Sequence, residues 1–439
     1  MKKIRMIARV VVIIIALLGN KQIFESRQEI STLELVKIVG LDYVFGENNE
    51  DKKENNLNNG EIEDKGENEG FTKELQTQIS LVINNSADSS NSAGNQAKNT
   101  NTTGLSQILS FKGLTYNTVV MKLQTYIQKS VPGSHIQYFV LGSEILDYDI
   151  AKTIDFIARN NEVRLNVRLY TVENQSAEEF LSSAIKSTSK PDDKLESMEE
   201  TTEFQRQYVP SEIIDILAAE KSGKPYMIPR LKLEQDSNDV KKSVLREDNE
   251  LEEDTNYFNF NGYTVAFNSK RVIDLNVVQS EMYNVLVNKL NVEPIDIIKD
   301  GNIISFGIIR SKCKYKYEFK DSKNKNIPTK LKIEIDFVSN IEEDDDNINL
   351  FNNSVIHKYE KEQEKILKEK IEELVEVSLK ENVDFIKIEE RFKLYYPYKY
   401  RKIKDEFKEI IRKMKTEVKT NCNIKRTYDV MMTKKGEGR

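Results

Sequence analysis

Residues 135–172 read HIQYFVLGSEILDYDIAKTIDFIARNNEVRLNVRLYTV, and this stretch decides the fold class of the 439-residue chain. His135–Leu141 is a short apolar run of the kind that forms a buried strand. Ile145–Ala158 carries Ile150, Ile154 and Ile157 at the spacing of an amphipathic helix. Val163–Val172 then alternates, with Val163, Leu165, Val167 and Leu169 on one face and Arg164, Asn166 and Arg168 on the other. Strand, helix and strand joined by short connections predict an α+β or mixed α/β unit.

Upstream, Thr115 is a plausible N-cap for a helix through Val119, Leu123, Tyr126 and Ile127, which Pro132 and Gly133 terminate. Leu33–Tyr43 and Phe71–Val82 have strand composition; in the second, Leu75, Thr77, Ile79 and Leu81 alternate with Gln76, Gln78 and Ser80. The tracts 47–70 and 84–103 are Asn-rich with almost nothing to bury, so they are expected as disordered insertions within one domain.

Downstream, a helix over Ser176–Ile185 is followed by polar linker to about Thr202. Ser211–Glu220 is a short helix capped by Ser211 and ended near Gly223–Lys224–Pro225. Tyr257–Phe267 reads as two strands meeting at Asn261–Gly262, Val272–Leu275 continues that sheet, and Ser280–Leu290 is helical. Lys330–Phe337 alternates, Ser354–Leu379 and Tyr398–Met414 are amphipathic helices, and a strand near Val418–Val430 closes the chain. The expected architecture is α+β, with three successive mixed units (24–202, 203–298 and 299–432) after a signal or membrane-anchor segment at 1–20.

That first segment places Lys2, Lys3, Arg5 and Arg9 before the apolar run Val10–Leu18, the layout of a secretory signal. The run is about half of the ~20 residues that cross a bilayer comfortably. The expectation is an extracytoplasmic, membrane-associated protein. Charged residues make up 31% of the chain and nearly cancel to −6, without the basic excess of a nucleic-acid binder. Only Cys313 and Cys422 are present, far apart, and two reduced buried thiols are expected. With two histidines, His135 and His357, and no CxxC, phosphate loop, nucleophile elbow or HExxH, no catalytic, cofactor-binding or metal-ligating residue is assigned.

In order, these elements resemble the GerAC, or Ger(x)C, family, the C subunits of spore germinant receptors. Phe24–Glu25–Ser26–Arg27–Gln28–Glu29–Ile30 and Val39–Gly40–Leu41–Asp42 are similar to the family's opening W-D-x-R-E-I and G-I-D elements. Gly113–Leu114–Thr115, Ser134–His135 with Gln137–Gly142, and Arg159, Glu162 and Arg164 follow in family order. Gly262–Phe267, Asp384–Phe385, Pro397 and the aromatic Phe407 complete the resemblance. Two features depart from it: Asn20 stands after Leu17–Leu18–Gly19 where the family has its lipidated cysteine, and tryptophan is absent, with Phe24 and Phe407 in places the family tends to give it.

The resemblance implies a non-enzymatic receptor subunit. Its partners would be germinant receptor A and B subunits at the spore inner membrane, and it would couple nutrient sensing to germination. Anchoring would come from an uncleaved first segment or from the partners. The alternative is an extracytoplasmic solute-binding protein of a transporter, with an exported hydrolase as a third class. Among individual residues, His135 is expected to be structural and hydrogen-bonded. Arg159, Glu162 and Arg164 are expected to form a local ion-pair network, and Glu342–Asp346 a solvated turn rather than a calcium site. Lys399, Lys402, Lys404 and Lys408 could face anionic lipid, but Glu406 and Glu409 interleaved with them favour an ordinary solvated helix face.

Overall fold

A computed structural model describes residues 35–45, 75–84, 106–128, 131–187, 190–205, 208–235, 243–245, 251–253, 256–289, 294–299, 302–319, 326–344 and 353–425. The expected signal segment, the Phe24–Ile30 motif, the 47–70 tract and 85–103 lie outside these residues. In chain order the first part comprises β1 (Val36–Phe45), β2 (Leu75–Asn84), β3 (Ser106–Gly113), α1 (Tyr116–Ile127), β4 (Tyr138–Leu141), α2 (Ser143–Tyr148), α3 (Ile150–Arg159) and β5 (Arg168–Val172). It continues with α4 (Ala177–Ser187), α5 (Pro191–Gln205), β6 (Ser211–Glu212), α6 (Ile213–Lys221) and β7 (Tyr226–Gln235). A short hairpin of β8 (Ser243–Leu245) and β9 (Leu251–Glu253) precedes β10 (Asn256–Phe267), β11 (Lys270–Asp274) and α7 (Val277–Leu286).

These strands build one nine-stranded sheet in the order β11-β10-β7-β5-β4-β1-β2-β3, with β6 on β5. Its centre, β7-β5-β4-β1, is parallel, and antiparallel pairs extend it on both sides. A parallel centre needs crossovers, which place helices on both faces. Phe139, Leu141 and Leu169 point into a core shared with α1, α2, α3 and α6. Their neighbours Tyr138, Val140 and Tyr170 point into the opposite core, with Phe180 and Leu181 of α4 and Leu195 of α5. The strands of the segment expected as a middle unit therefore continue the first sheet.

The second part has β12 (Ile295–Lys299), β13 (Asn302–Phe319), β14 (Pro328–Asp344), α8 (Asn353–Lys380), α9 (Ile388–Tyr395), α10 (Pro397–Ile403), α11 (Phe407–Lys413) and β15 (Lys415–Lys425). The sheet order is β12-β13-β14-β15, antiparallel except for the parallel pair β14–β15 that the helices bridge. Leu331, Ile333, Ile335 and Phe337 bury against Leu367, Ile371 and Leu374 of α8 and Phe407 of α11. The edge strand β15 is covered from α8: Glu364 accepts from the Cys422 N–H (3.2 Å) and Glu360 from that of Ile424 (3.1 Å). Such cover satisfies edge donors that otherwise pair with another chain.

Helix α7 joins the two parts. Asn276 and Gln279 form its capping box, and every residue from Ser280 to Leu286 is buried. Beyond its end, Asn288 Oδ1 accepts from the Cys313 N–H of β13 (2.7 Å), and Arg391 of α9 donates to the Leu286 carbonyl (2.7 Å). The apolar core runs without interruption from one face of the first sheet, through α7, to the second sheet.

The structure departs from the sequence expectations at several places. The helix expected over Ile145–Ala158 is two helices, because Asp149 stops α2 and its carboxylate caps α3 through the Lys152 N–H (3.1 Å). Val163–Val167 is turn rather than strand, and Leu165 is exposed. The polar linker after α4 is helix α5, pinned by Leu195 and Met198 and by the buried Asp192, which pairs with Lys37 of β1 (3.0 Å). Ser211 does not cap α6; it lies in β6 and its hydroxyl donates to the Met227 carbonyl. Strands β3 and β7 had no counterpart in the sequence reading, and β7 carries a proline and a charge in mid-strand, Pro229 and Arg230.

Asn261–Gly262 is a bulge within the single strand β10, not a hairpin turn. Phe260 pairs with Leu231 and Tyr263 with Pro229, so two residues oppose Arg230. Gly262 has φ +86°, and a Cβ there would lie 2.0 Å from the Leu275 carbonyl oxygen. The buried Arg230 fastens the bulge, donating to the carbonyls of Asn261 (2.8 Å) and Leu275 (3.2 Å) and pairing with Asp274 (3.0 Å). Finally, the helix expected over Tyr398–Met414 breaks at Lys404–Glu406 into α10, a 3-10 turn and α11.

Candidate functional site

Two buried carboxylates, one in each part, set the local geometry at two of the sequence motifs. Asp42, inside β1, accepts from the N–H groups of Ala177 (2.6 Å) and Glu178 (3.1 Å), the first of α4. Burial pushes it up to about 6, against the pull of those two donors. Gly142 leaves the space it needs, since a Cβ there would lie 2.0 Å from Asp42 Oδ1. Asp384 does the same for α9, accepting from Ile388 (2.8 Å) and Glu389 (2.7 Å), and burial pushes it up to about 7. Both residues stand at the start of a helix, where exposed N–H groups favour a carboxylate. They act as structural anchors. In sequence each is an aspartate in an apolar run, VGLD or VDFI, which marks the position but not the helix start it serves.

An open hollow of about 960 Å³ lies beside β4 and β5, with α5 and the end of α7 on its other sides. Arg168, Glu199 and Tyr208 line it and belong to a polar network. Arg168 reaches Glu212 (3.0 Å) and Glu199 (3.4 Å), Tyr170 donates to Glu199 (2.7 Å), and the Tyr208 hydroxyl lies 3.3 Å from that of Tyr170. Burial raises Glu199. His135 and Arg164 line the rim, and both are exposed.

The expected cluster of Arg159, Glu162 and Arg164 is not brought together. Arg159 pairs with Asp155 on its own helix (2.5 Å), and Glu162 accepts from the Gly133 N–H (3.2 Å) to hold the turn before β4. The expected turn at Glu342–Asp346 is strand as far as Asp344, with Asp345 and Asp346 outside the described residues. No group of three or more His, Cys, Asp or Glu able to hold a metal occurs among the described residues. Cys313 and Cys422 are free and buried, and burial pushes both thiols up to about 12.

Residues 26–233 match the family description "Spore germination protein N-terminal domain", and residues 261–428 match "Spore germination B3/ GerAC like, C-terminal". The chain belongs to the GerAC family of germinant receptor C subunits. Both Asp42 and Asp384 fall inside the matched segments, and so does the joint at α7. The C-terminal match opens in the bulge of β10, so the first sheet is built from both family segments. Among solved structures the chain is similar to "Crystal Structure of the GerBC protein", at 14% identity and a TM-score of 0.49 over 80% of this chain and 94% of that one. No curated protein matches.

Proposed function

We propose that this GerAC-family protein is a non-enzymatic scaffold that assembles with receptor A and B subunits on the extracytoplasmic face of the spore inner membrane and couples nutrient sensing to germination. The observation that carries the reading is that both family segments lie in order on one chain and are fused through α7 into one apolar core. A displacement imposed on one sheet is then delivered to the other as a rigid-body movement, because a packed core transmits strain. The basic and apolar residues before Asn20 support export. Among the described residues no helix is long and apolar enough to cross a membrane, so membrane association falls to that first segment, to partner subunits, or to a surface of the folded part.

Co-purification tests the scaffold role. The full chain should bring down A and B subunits, and a chain truncated before α8 should not; normal assembly without α8–β15 would contradict it. The hollow beside β4 and β5 gives one observation in favour of the second reading, a solute-binding protein, because Tyr138 and Tyr208 line it among placed charges. Saturable binding of an amino acid or sugar by the purified chain would favour that reading.

A further inference from the structure

Residues 391–404 read RFKLYYPYKYRKIK, with six basic side chains, four tyrosines and no acidic residue, in a chain whose net charge is −6. The break at Lys404–Glu406 separates this segment from Glu406 and Glu409, which a continuous helix would have interleaved with its lysines. Lys408 leaves the group as well and sits over the ring of Phe267 (5.4 Å).

Four of the apolar groups in the segment are explained by packing, Phe392 and Ile403 being buried. Tyr396 lies against Phe392 and Phe319, and Tyr400 donates to Glu389 (2.5 Å) while its ring meets Phe407. The others point outward: Leu394 is 73% exposed, Tyr395 53% and Tyr398 78%. Lys393, Arg401 and Lys402 are exposed as well, and the Arg401 guanidinium lies over the Tyr398 ring (5.8 Å). A large apolar group rimmed by flexible cations marks an interaction surface. Tyrosine suits an interface that is apolar on one side and wet on the other, and long basic side chains reach phosphates while their stems lie along apolar surface.

We propose that the α9–α10 corner is a membrane-docking surface for an anionic bilayer, with Leu394, Tyr395 and Tyr398 entering the headgroup layer and Lys393, Arg401, Lys402 and Lys404 meeting lipid phosphates. Charge complementarity selects this occupant, since a rim with a basic excess, four cations against Asp405 beside Lys404 (4.0 Å), matches an anionic leaflet on an otherwise acidic protein. The inference deepens the membrane association proposed above and rests on that reading for the bilayer being within reach.

The test is sedimentation of the full chain with vesicles of phosphatidylcholine alone or mixed with phosphatidylglycerol. The first segment contributes equally to every variant, so differences report the corner. Each removed charge should weaken binding to the mixed vesicles about five-fold at low salt, so Arg401→Gln/Lys402→Gln/Lys404→Gln should lose roughly 100-fold. The same variant should bind phosphatidylcholine as the parent does. Leu394→Ser/Tyr398→Ser should weaken binding to both vesicles, with an unchanged circular dichroism spectrum for both variants. Parent-like binding of the triple variant to mixed vesicles would overturn the proposal. Unchanged vesicle binding with lost co-purification of the A and B subunits would also overturn it, by making the corner a protein interface. If germination is normal without the gene but vesicle binding remains charge-dependent, the docking surface stands and the receptor reading falls.

Discussion

The first sheet is covered by helices on both faces, and the second on one face only. In β4 every residue from Tyr138 to Leu141 is buried, because successive side chains enter opposite cores. In β13 and β14 the inward residues Ile333, Ile335 and Phe337 alternate with outward charges, paired across strands as Lys316–Glu334 (2.5 Å) and Lys332–Glu318 (2.6 Å). The difference shows where the chain stores its stability. The central strand β4 has no neutral position, whereas β14 has one at every other residue.

The largest effects should come from testing that contrast directly. In β4, Phe139→Ala should cost about 3–5 kcal/mol and the adjacent Val140→Ala about 2 kcal/mol, because each opens a different core. In β14, Ile335→Ala should cost about 2–5 kcal/mol, while its neighbour Glu334→Ala should cost under about 1 kcal/mol. Urea midpoints of the four variants measure this, and a β4 pair as unequal as the β14 pair would break the comparison. Next in size is Gly262→Ala, which places a Cβ against the Leu275 carbonyl at positive φ and should cost roughly 2 kcal/mol or more. Thermal melting checks it.

A smaller, pH-dependent effect tests the two aspartate anchors, one in each part. Both have pKa values raised by burial, so the fold holds their protons more tightly than the unfolded chain does. Unfolding then releases protons, and the stability linked to these groups is full below about pH 4 and declines as pH rises through about 6 for Asp42 and about 7 for Asp384. Asp42→Asn and Asp384→Asn should each flatten the fall in melting temperature across that window. A parallel shift of the whole pH profile would show that the carboxylates are ionised throughout. Smallest of all should be Lys316→Ala, which breaks one exposed pair and should change stability by less than about 1 kcal/mol.

The second part was the more legible in sequence for the same physical reason. A sheet solvated on one face writes its register as alternation, so Lys330–Phe337 was readable, as was the inner stripe of α8 through Ile356, Tyr359, Leu367 and Ile371. In the first part, β7 was hidden by Pro229 and Arg230, which lie opposite the bulge of the neighbouring strand β10. Helix α5 was hidden because it is tied down by only a few buried side chains and the Lys37–Asp192 pair, contacts that lie far away in sequence. The residue types at Asp42 and Asp384 could be read, but their role could not, since the helix starts they satisfy are formed by other segments or by a turn. The break at Lys404–Glu406 was likewise invisible to a spacing argument: Ile403, Phe407, Ile410 and Met414 are spaced as on one helix and all are buried, on elements that do not form one.

Whether this chain serves a nutrient receptor is decided by dipicolinic acid release from spores lacking the gene, triggered by nutrients and, separately, by a receptor-independent stimulus. A receptor subunit requires loss of the nutrient response with the receptor-independent response intact. An unchanged nutrient response would contradict it.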